Sequence, residues 1–331
     1  MTTAERSGEL GLRVGELVEV RSEEEILATL DENGELDSLP FMPEMLKFCG
    51  QRLTVHKVAH KLCDTISSTG MRKMEHAVHL TGARCDGSAH GGCQTACSMY
   101  WKESWVKRVG AADPDPAPTT GTAPRLLSLL EVHSRKEPGP DSGVRYSCQA
   151  TELMRAAPVF LPFKSMGQYV TDVRTGNVGV RATVRGFFIA LYNRYQAVSK
   201  RKLPRWLWIN GGLRWSHFKG GASGRTPVAT LDLKPGELVR IKSREEIIAT
   251  LDDNQLNRGM GFEEEMSRYC GKTARVVSRV DRCLDESTGR LLTMKNPCIV
   301  LEDVICDGVY NVNCPREYVM FWREIWLERV T

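Results

Sequence analysis

The residues of this chain best suited to chemistry are its eleven cysteines, set among 331 residues. A thiolate is both a nucleophile and a soft metal ligand. Three of them stand in one string, Cys85-Asp86-Gly87-Ser88-Ala89-His90-Gly91-Gly92-Cys93-Gln94-Thr95-Ala96-Cys97. Its glycines allow tight turns that aim backbone N–H groups at a negatively charged sulfur cage. Cys63 supplies a fourth thiolate from outside the string. Four soft thiolates fit tetrahedral zinc or the irons of an iron–sulfur cluster. The gaps between them are x21, x7 and x3, and only the last lies in the range of zinc knuckles. An iron–sulfur cluster is therefore the first expectation for Cys63, Cys85, Cys93 and Cys97, with zinc as the alternative.

An internal repeat places a second set. Gly15-Glu16-Leu17-Val18-Glu19-Val20 returns as Gly236-Glu237-Leu238-Val239-Arg240-Ile241, and Cys85-Asp86-Gly87 as Cys306-Asp307-Gly308. Tyr100-Trp101-Lys102-Glu103-Ser104-Trp105 returns as Phe321-Trp322-Arg323-Glu324-Ile325-Trp326. Two copies of one module thus flank a different middle segment. In the second copy Cys283, Cys306 and Cys314 occupy the places of Cys63, Cys85 and Cys93, while Tyr318 stands near that of Cys97. Cys298, Cys306 and Cys314 are the expected ligands there, with Cys148 of the middle segment and Cys283 as alternatives for the last place. Cys49 and Cys270 hold equivalent positions before a glycine and read as core packing.

Each module must be built from short elements to hold such a loop. Gly15 to Val20 alternates as a half-buried strand does. Ser22 with Glu25, and Ser243 with Glu246, form capping boxes for a short helix. Met42 to Phe48 has helical spacing and stops at Gly50. Arg52 to Val58 and His76 to Arg84 read as a hairpin, and Trp105 to Val109 as a last strand. The fold class expected is α+β, mainly β: two SH3-like small barrels flanking a helical insert. The modules run over 12–110 and 233–331. Between them lie a flexible Pro-rich linker, 111–143, with a short helix at Leu126 to His133, and a basic helical insert, 144–230. The insert's long helix spans Val178 to Val198, with Pro204 beyond its end.

Other chemistry has less support. His56, His60, His76 and His79 cluster in the first hairpin and read as a solvated strand face. No nucleophilic triad can be assembled from spacing, and no phosphate-binding glycine loop follows a strand. The insert carries Arg174, Arg181, Arg185, Arg194 and Arg205 among Trp206, Trp208 and Trp215, a surface suited to an anionic small molecule. Forty-five basic against 41 acidic residues, a net charge of +4, is too little to indicate a nucleic-acid binder. No apolar run is long enough to span a membrane. Met1 to Ser7 lacks the pattern of a signal peptide, so a cytoplasmic protein with reduced thiols is expected.

The string from Cys85 to His90 resembles the Cys-Asp-Gly-Ser-His box of the CDGSH iron–sulfur proteins, with an extra alanine before the histidine. That family holds a [2Fe–2S] cluster by three cysteines and one histidine, which makes His90 a candidate ligand. The Cys-x-Cys pair that family places upstream is replaced here by Gly82-Ala83-Arg84. The whole chain resembles a group of bacterial proteins with the same duplicated Cys-rich module and loop. That resemblance implies a bacterial metal-binding protein associated with a biosynthetic pathway. The expected function is a cluster-bearing redox centre or enzyme with a redox partner protein. The alternative is a zinc-stabilised tandem-barrel scaffold that binds a protein.

Overall fold

In the computed structural model of the protein, residues 10–110, 124–138, 143–215 and 217–330 are described. Met1 to Ser7 and parts of the Pro-rich linker, 111–123 and 139–142, lie outside them. Helix and strand are present in near-equal shares, 28% and 27%. The balance is less strongly β than the strand-rich modules suggest, because the middle segment folds into several helices. No helix among the described residues is long and apolar enough to cross a membrane.

The chain divides into two compact units. The first holds residues up to Val180 together with Arg282–Thr293 and Asn313–Arg316, and the second holds Arg181–Asp281, Met294–Val312 and Glu317–Thr331. The middle segment is accordingly shared. Helices Gln149–Ala156 and Gly167–Arg174 belong to the first unit, and helix Val180–Lys202 continues into the second.

The first unit is built on a sheet whose strands lie in the order Trp101–Lys102, Ala77–Leu80, Arg52–Val58, Leu17–Val20, Val106–Arg108. All neighbours in it are antiparallel. Local sequence dictates much of it. Ser22 accepts from Glu25 N–H while the Glu25 carboxylate accepts from Ser22 N–H, so helix Glu23–Leu27 starts where the capping box requires. Pro43 opens a 3₁₀ turn, Pro43–Phe48, whose Met45 is fully buried. Above the sheet the buried Phe41 ring meets Trp101 and Trp105 edge-on at 6.1 and 5.1 Å, a favoured aromatic geometry worth about 0.5–1.5 kcal/mol per pair. The Trp105 indole N–H donates to Thr29 Oγ1 at 3.1 Å, so the buried ring leaves no donor stranded.

The second sheet has the order Val319–Trp322, Leu291–Ile305, Thr273–Leu284, Leu238–Ile241, Leu327–Arg329. Its core follows the same plan: Phe262 lies against Trp322 and Trp326 at 6.2 and 5.7 Å, and Trp326 donates to Thr250 Oγ1. Glu324 accepts from Leu231 and Leu233 N–H, as Glu103 accepts from Leu10 and Gly11 N–H in the first unit. No closed barrel is found among the described residues.

A separate three-stranded sheet, Phe160–Leu161, Met71–Lys73, Lys61–Cys63, joins the middle segment to the first copy. The excursion from Ala59 to Glu75 therefore forms its own hairpin rather than a simple turn between Arg52–Val58 and Ala77–Leu80. Gln149 fastens the following helix. It is buried; its Oε1 accepts from Tyr100 N–H at 2.8 Å, and its Nε2 donates to Tyr100 O and Pro40 O at 2.8 and 3.0 Å. Gln149→Leu keeps the volume but strands three backbone groups, each costing about 1–3 kcal/mol when buried unpaired. Thermal unfolding of this variant is expected to show a fall in melting temperature of several degrees, with Gln149→Glu intermediate.

Candidate metal centre

The glycine-rich string folds as a closed loop because its ends are tied. Cys85 N–H donates to Cys97 O at 2.9 Å, and Arg84 pairs with Ser98 just outside. Inside it, His90 N–H and Gly92 N–H both donate to Gly87 O, at 2.9 and 3.0 Å. Gly87 has a positive φ of 69°, and a Cβ there would fall 2.0 Å from Cys93 O. Only glycine lets the loop turn back on itself this tightly. A Cβ at Gly91 would meet the Tyr146 hydroxyl at 2.7 Å, so the middle segment also packs on the loop's backbone.

The stretch 282–293 reaches the same loop within the first unit. Gln94 N–H donates to Arg282 O, and Gln94 Oε1 accepts from Arg282 N–H, both at 3.0 Å. Leu284 N–H points at Cys93 Sγ at 3.4 Å. The first unit thereby contains seven of the candidate or alternative ligands: Cys63, Cys85, Cys93, Cys97, Cys148, Cys283 and Cys314.

Electrostatics group these thiols further. Burial pushes the Cys97 thiol up to about 12, opposed by the Arg316 guanidinium and reinforced by Cys148, Glu286 and Cys93. Burial raises Cys148 to about 11, with backbone N–H groups of Thr151 and Ala150 working against it and Cys93 adding to it. Cys85 is raised by burial first, then by Glu44, with smaller contributions from Cys97 and Cys148. Cys283 is raised by burial and by Cys93. Cys93, Cys97 and Cys148 thus lie near enough to disfavour a neighbouring thiolate, and the surroundings of Cys85, Cys97 and Cys148 already penalise charge.

Cys63 and Cys314 form a different kind of pair. Both are buried and their thiols are hydrogen-bonded. The Cys314 hydrogen bond lowers the Cys63 thiol, with Arg316 adding to the effect, while burial and the same hydrogen bond raise Cys314. Arg316 donates to Cys63 O and Thr65 Oγ1, each at 3.1 Å, and pairs with Glu286 at 3.1 Å.

One group of three metal-ligating atoms lies within 4.8 Å among the described residues: Glu44, Cys85 and His90. His90 is buried; its Nδ1 is 2.6 Å from Glu44 Oε1 and its Nε2 is 3.0 Å from Ser147 O. Both ring nitrogens therefore face acceptor oxygens. Glu44 Oε1 also accepts from Ala89 N–H at 3.0 Å, whereas Glu44 Oε2 is buried without a hydrogen-bond partner.

The set expected in the second copy is distributed. Cys148 and Cys314 belong to the first unit, and Cys298 and Cys306 to the second. Cys298 is fully buried between Val280 and Val300, 3.4 Å from an Arg323 guanidinium nitrogen. Cys306 accepts from Tyr318 N–H at 3.2 Å and packs on the second core. Cys49 is buried in the first core, its thiol pushed by burial up to about 12, and Cys270 packs against the second, at about 11 for the same reason.

Sequence reasoning passed over Glu44 and Arg316. A signal for Glu44 exists in the repeat, since Glu44-Met45 returns as Glu265-Met266. Glu265 Oε1 accepts from Asp307 and Val309 N–H at 2.7 and 3.2 Å, the counterpart of the Glu44 contact with Ala89. Arg316 has no such marker. No family model, no curated protein and no solved structure matches this chain.

Removing the Glu44 carboxylate leaves the buried His90 Nδ1 and Ala89 N–H without acceptors. Glu44→Ala is expected to destabilise the protein by about 1–3 kcal/mol, measured by urea unfolding. Glu44→Gln, which keeps one oxygen acceptor, is expected to recover part of the loss.

Proposed function

We propose that the first unit binds an iron–sulfur cluster and that the protein serves as a redox centre or cluster-bearing enzyme. The ligands would be Cys85, Cys93 and Cys97 of the loop together with Cys148. The observation that supports this reading is that the thiols of Cys85, Cys97 and Cys148 are raised by burial and by neighbouring thiolates, Cys93 among those neighbours. A cluster of sulfur atoms pushed toward the neutral form gains most from a cation, which inverts the local preference and takes thiolates as ligands. Cys63, placed by spacing alone as the fourth ligand, has Cys314 as its nearest thiol partner and would flank the cluster rather than complete it.

Spacing favours a cluster over a single zinc ion at this quartet. Four thiolates at 2.3 Å from one zinc stand about 3.8 Å apart. Among the described residues the one group of three such ligand atoms within 4.8 Å of one another is Glu44, Cys85 and His90, which holds a single cysteine. A cluster divides the thiolates among several irons, one to each in a [4Fe–4S] centre, and spreads the ligands more widely. When bound, the cluster would supply one-electron chemistry; the chain would supply the buried ligand shell and N–H groups that set its potential.

A second reading has its own observation. The unpartnered Glu44 Oε2 lies beside Cys85 and His90, a mixed O, S, N donor set suited to one zinc ion. In that reading the protein is a zinc-stabilised scaffold. Matching strand orders and matching aromatic cores support reading the two sheets as copies of one SH3-like module in either case. Cytoplasmic placement follows from the reduced thiols that both readings need.

Anaerobic purification with iron, sulfide and zinc analysis decides. The expected protein is brown and carries iron and acid-labile sulfide in equal amounts. Both should be lost in Cys97→Ser and Cys148→Ser and retained in Cys49→Ala. Stoichiometric zinc in a colourless protein, lost in His90→Ala and kept in Cys148→Ser, establishes the second reading instead. A protein with neither metal overturns both.

A further inference from the structure

A cleft of about 600 Å³ opens in the first unit, away from the glycine-rich loop. That volume is in the range of small-molecule sites. Its walls come from the start of the first module, the excursion 58–77 and helix Gly167–Arg174. None of the cysteines lines it.

His60 is the cleft's anchored group. Its Nε2 is 2.7 Å from Asp172 Oδ1, and because a carboxylate only accepts, the ring nitrogen donates. Asp172 is fully buried, and its other oxygen accepts from Lys61 Nζ at 2.6 Å and Asn313 Nδ2 at 3.2 Å. The carboxylate is thus immobilised by three donors and holds the His60 ring in one orientation. With Nε2 committed, Nδ1 is the nitrogen left for a ligand.

The charges at the rim do not cancel. Lys73 pairs with Glu75 at 2.6 Å, and His76 faces the same carboxylate at 3.9 Å. Glu103 spends one oxygen on the Leu10 and Gly11 N–H groups. Arg13 and Arg174 both line the cleft, both are exposed, and neither guanidinium has an ion pair among the described residues. Gln168 adds a buried side chain whose Nε2 donates to Pro162 O while its Oε1 accepts nothing. Two planar, fork-shaped donors and an oriented imidazole lining one cleft suit an oxyanion.

We infer that this cleft is a binding site for a small organic anion, whose carboxylate or phosphate is held by Arg13 and Arg174 and whose body lies against His60. It is independent of the metal centre.

The test is isothermal titration calorimetry on the full chain, with succinate and inorganic phosphate as the two probes. Saturable binding of at least one is expected. Succinate alone assigns a carboxylate ligand, phosphate alone a phosphate ligand, and both an oxyanion site open to either. Arg13→Ala and Arg174→Ala should each weaken binding by about tenfold or more, the loss of a charge-assisted contact. Arg201→Ala, an exposed arginine elsewhere, should leave it unchanged. Both cleft arginines are exposed, so the variants should keep the wild-type melting temperature and metal content. His60→Asn should weaken binding while remaining folded, because its amide can still donate to Asp172. Failure of both probes to saturate, or unchanged affinity in the Arg13→Ala/Arg174→Ala double variant, overturns the inference.

Discussion

A carboxylate buried in a protein core must find donors, and in this protein that requirement ties the Cys-Asp-Gly loops to the cores beneath them. Glu44 and Glu265 are both buried, each on the short helical turn that follows a two-strand ladder, Glu35–Leu36 with Leu39–Pro40 or Leu256–Asn257 with Met260–Gly261. Glu44 takes the N–H of Ala89 and the ring of His90, and Glu265 takes the N–H groups of Asp307 and Val309. An isolated buried charge would cost several kcal/mol, so the loop is drawn onto the carboxylate. Cys85 and Cys306 begin these loops, and their sulfur atoms are therefore positioned by oxygen chemistry before any metal is considered. In the second copy, burial raises Glu263 and Glu265 alike, and the Tyr310 hydroxyl donates to the Glu263 carboxylate while accepting from Glu265 N–H at 3.2 Å. The same device thus carries different neighbours in the two copies.

The two loops differ although the cores beneath them match. The aromatic cores are held in common down to the indole hydrogen bonds on Thr29 and Thr250. The loops diverge. The first keeps Cys93 and Cys97 and adds His90; the second has Cys314, which lies with Cys63 in the first unit. A scaffold whose stability rests on Phe41, Trp101 and Trp105, or on Phe262, Trp322 and Trp326, leaves its loops free to change ligands.

What could be read from the sequence was whatever is local. The capping boxes at Ser22 and Ser243 depend on contacts three residues apart and are present where expected. The long helix has the expected span within a few residues and ends before Pro204. Gly87 announced a turn that only glycine can make. The thiol pairings were not legible, because Cys63 and Cys314 are 251 residues apart and nothing local marks either for the other. Extending the repeat by symmetry put one ligand set in each copy, whereas the first unit holds seven of the candidate thiols. The middle segment supplies Cys148 there because Gln149 locks its helix against Tyr100 and Pro40, a contact made by backbone atoms that carry no residue-type signal. Asp172 was equally silent: an aspartate on a short helix has no visible reason to be buried until His60, Lys61 and Asn313 surround it.

The thiols and the cleft solve opposite problems of charge. Around Cys85, Cys97 and Cys148 the surroundings resist negative charge, so thiolates there need a positive partner that the chain provides only in part, through Arg316. Around Asp172 a buried negative charge is already met by three donors, and the remaining imbalance is positive, at the exposed Arg13 and Arg174. A cation at the first place and an anion at the second would each complete what the protein leaves open. Both imbalances lie in the same unit, and Asn313 and Arg316, from one four-residue stretch, contact Asp172 and Cys63 respectively.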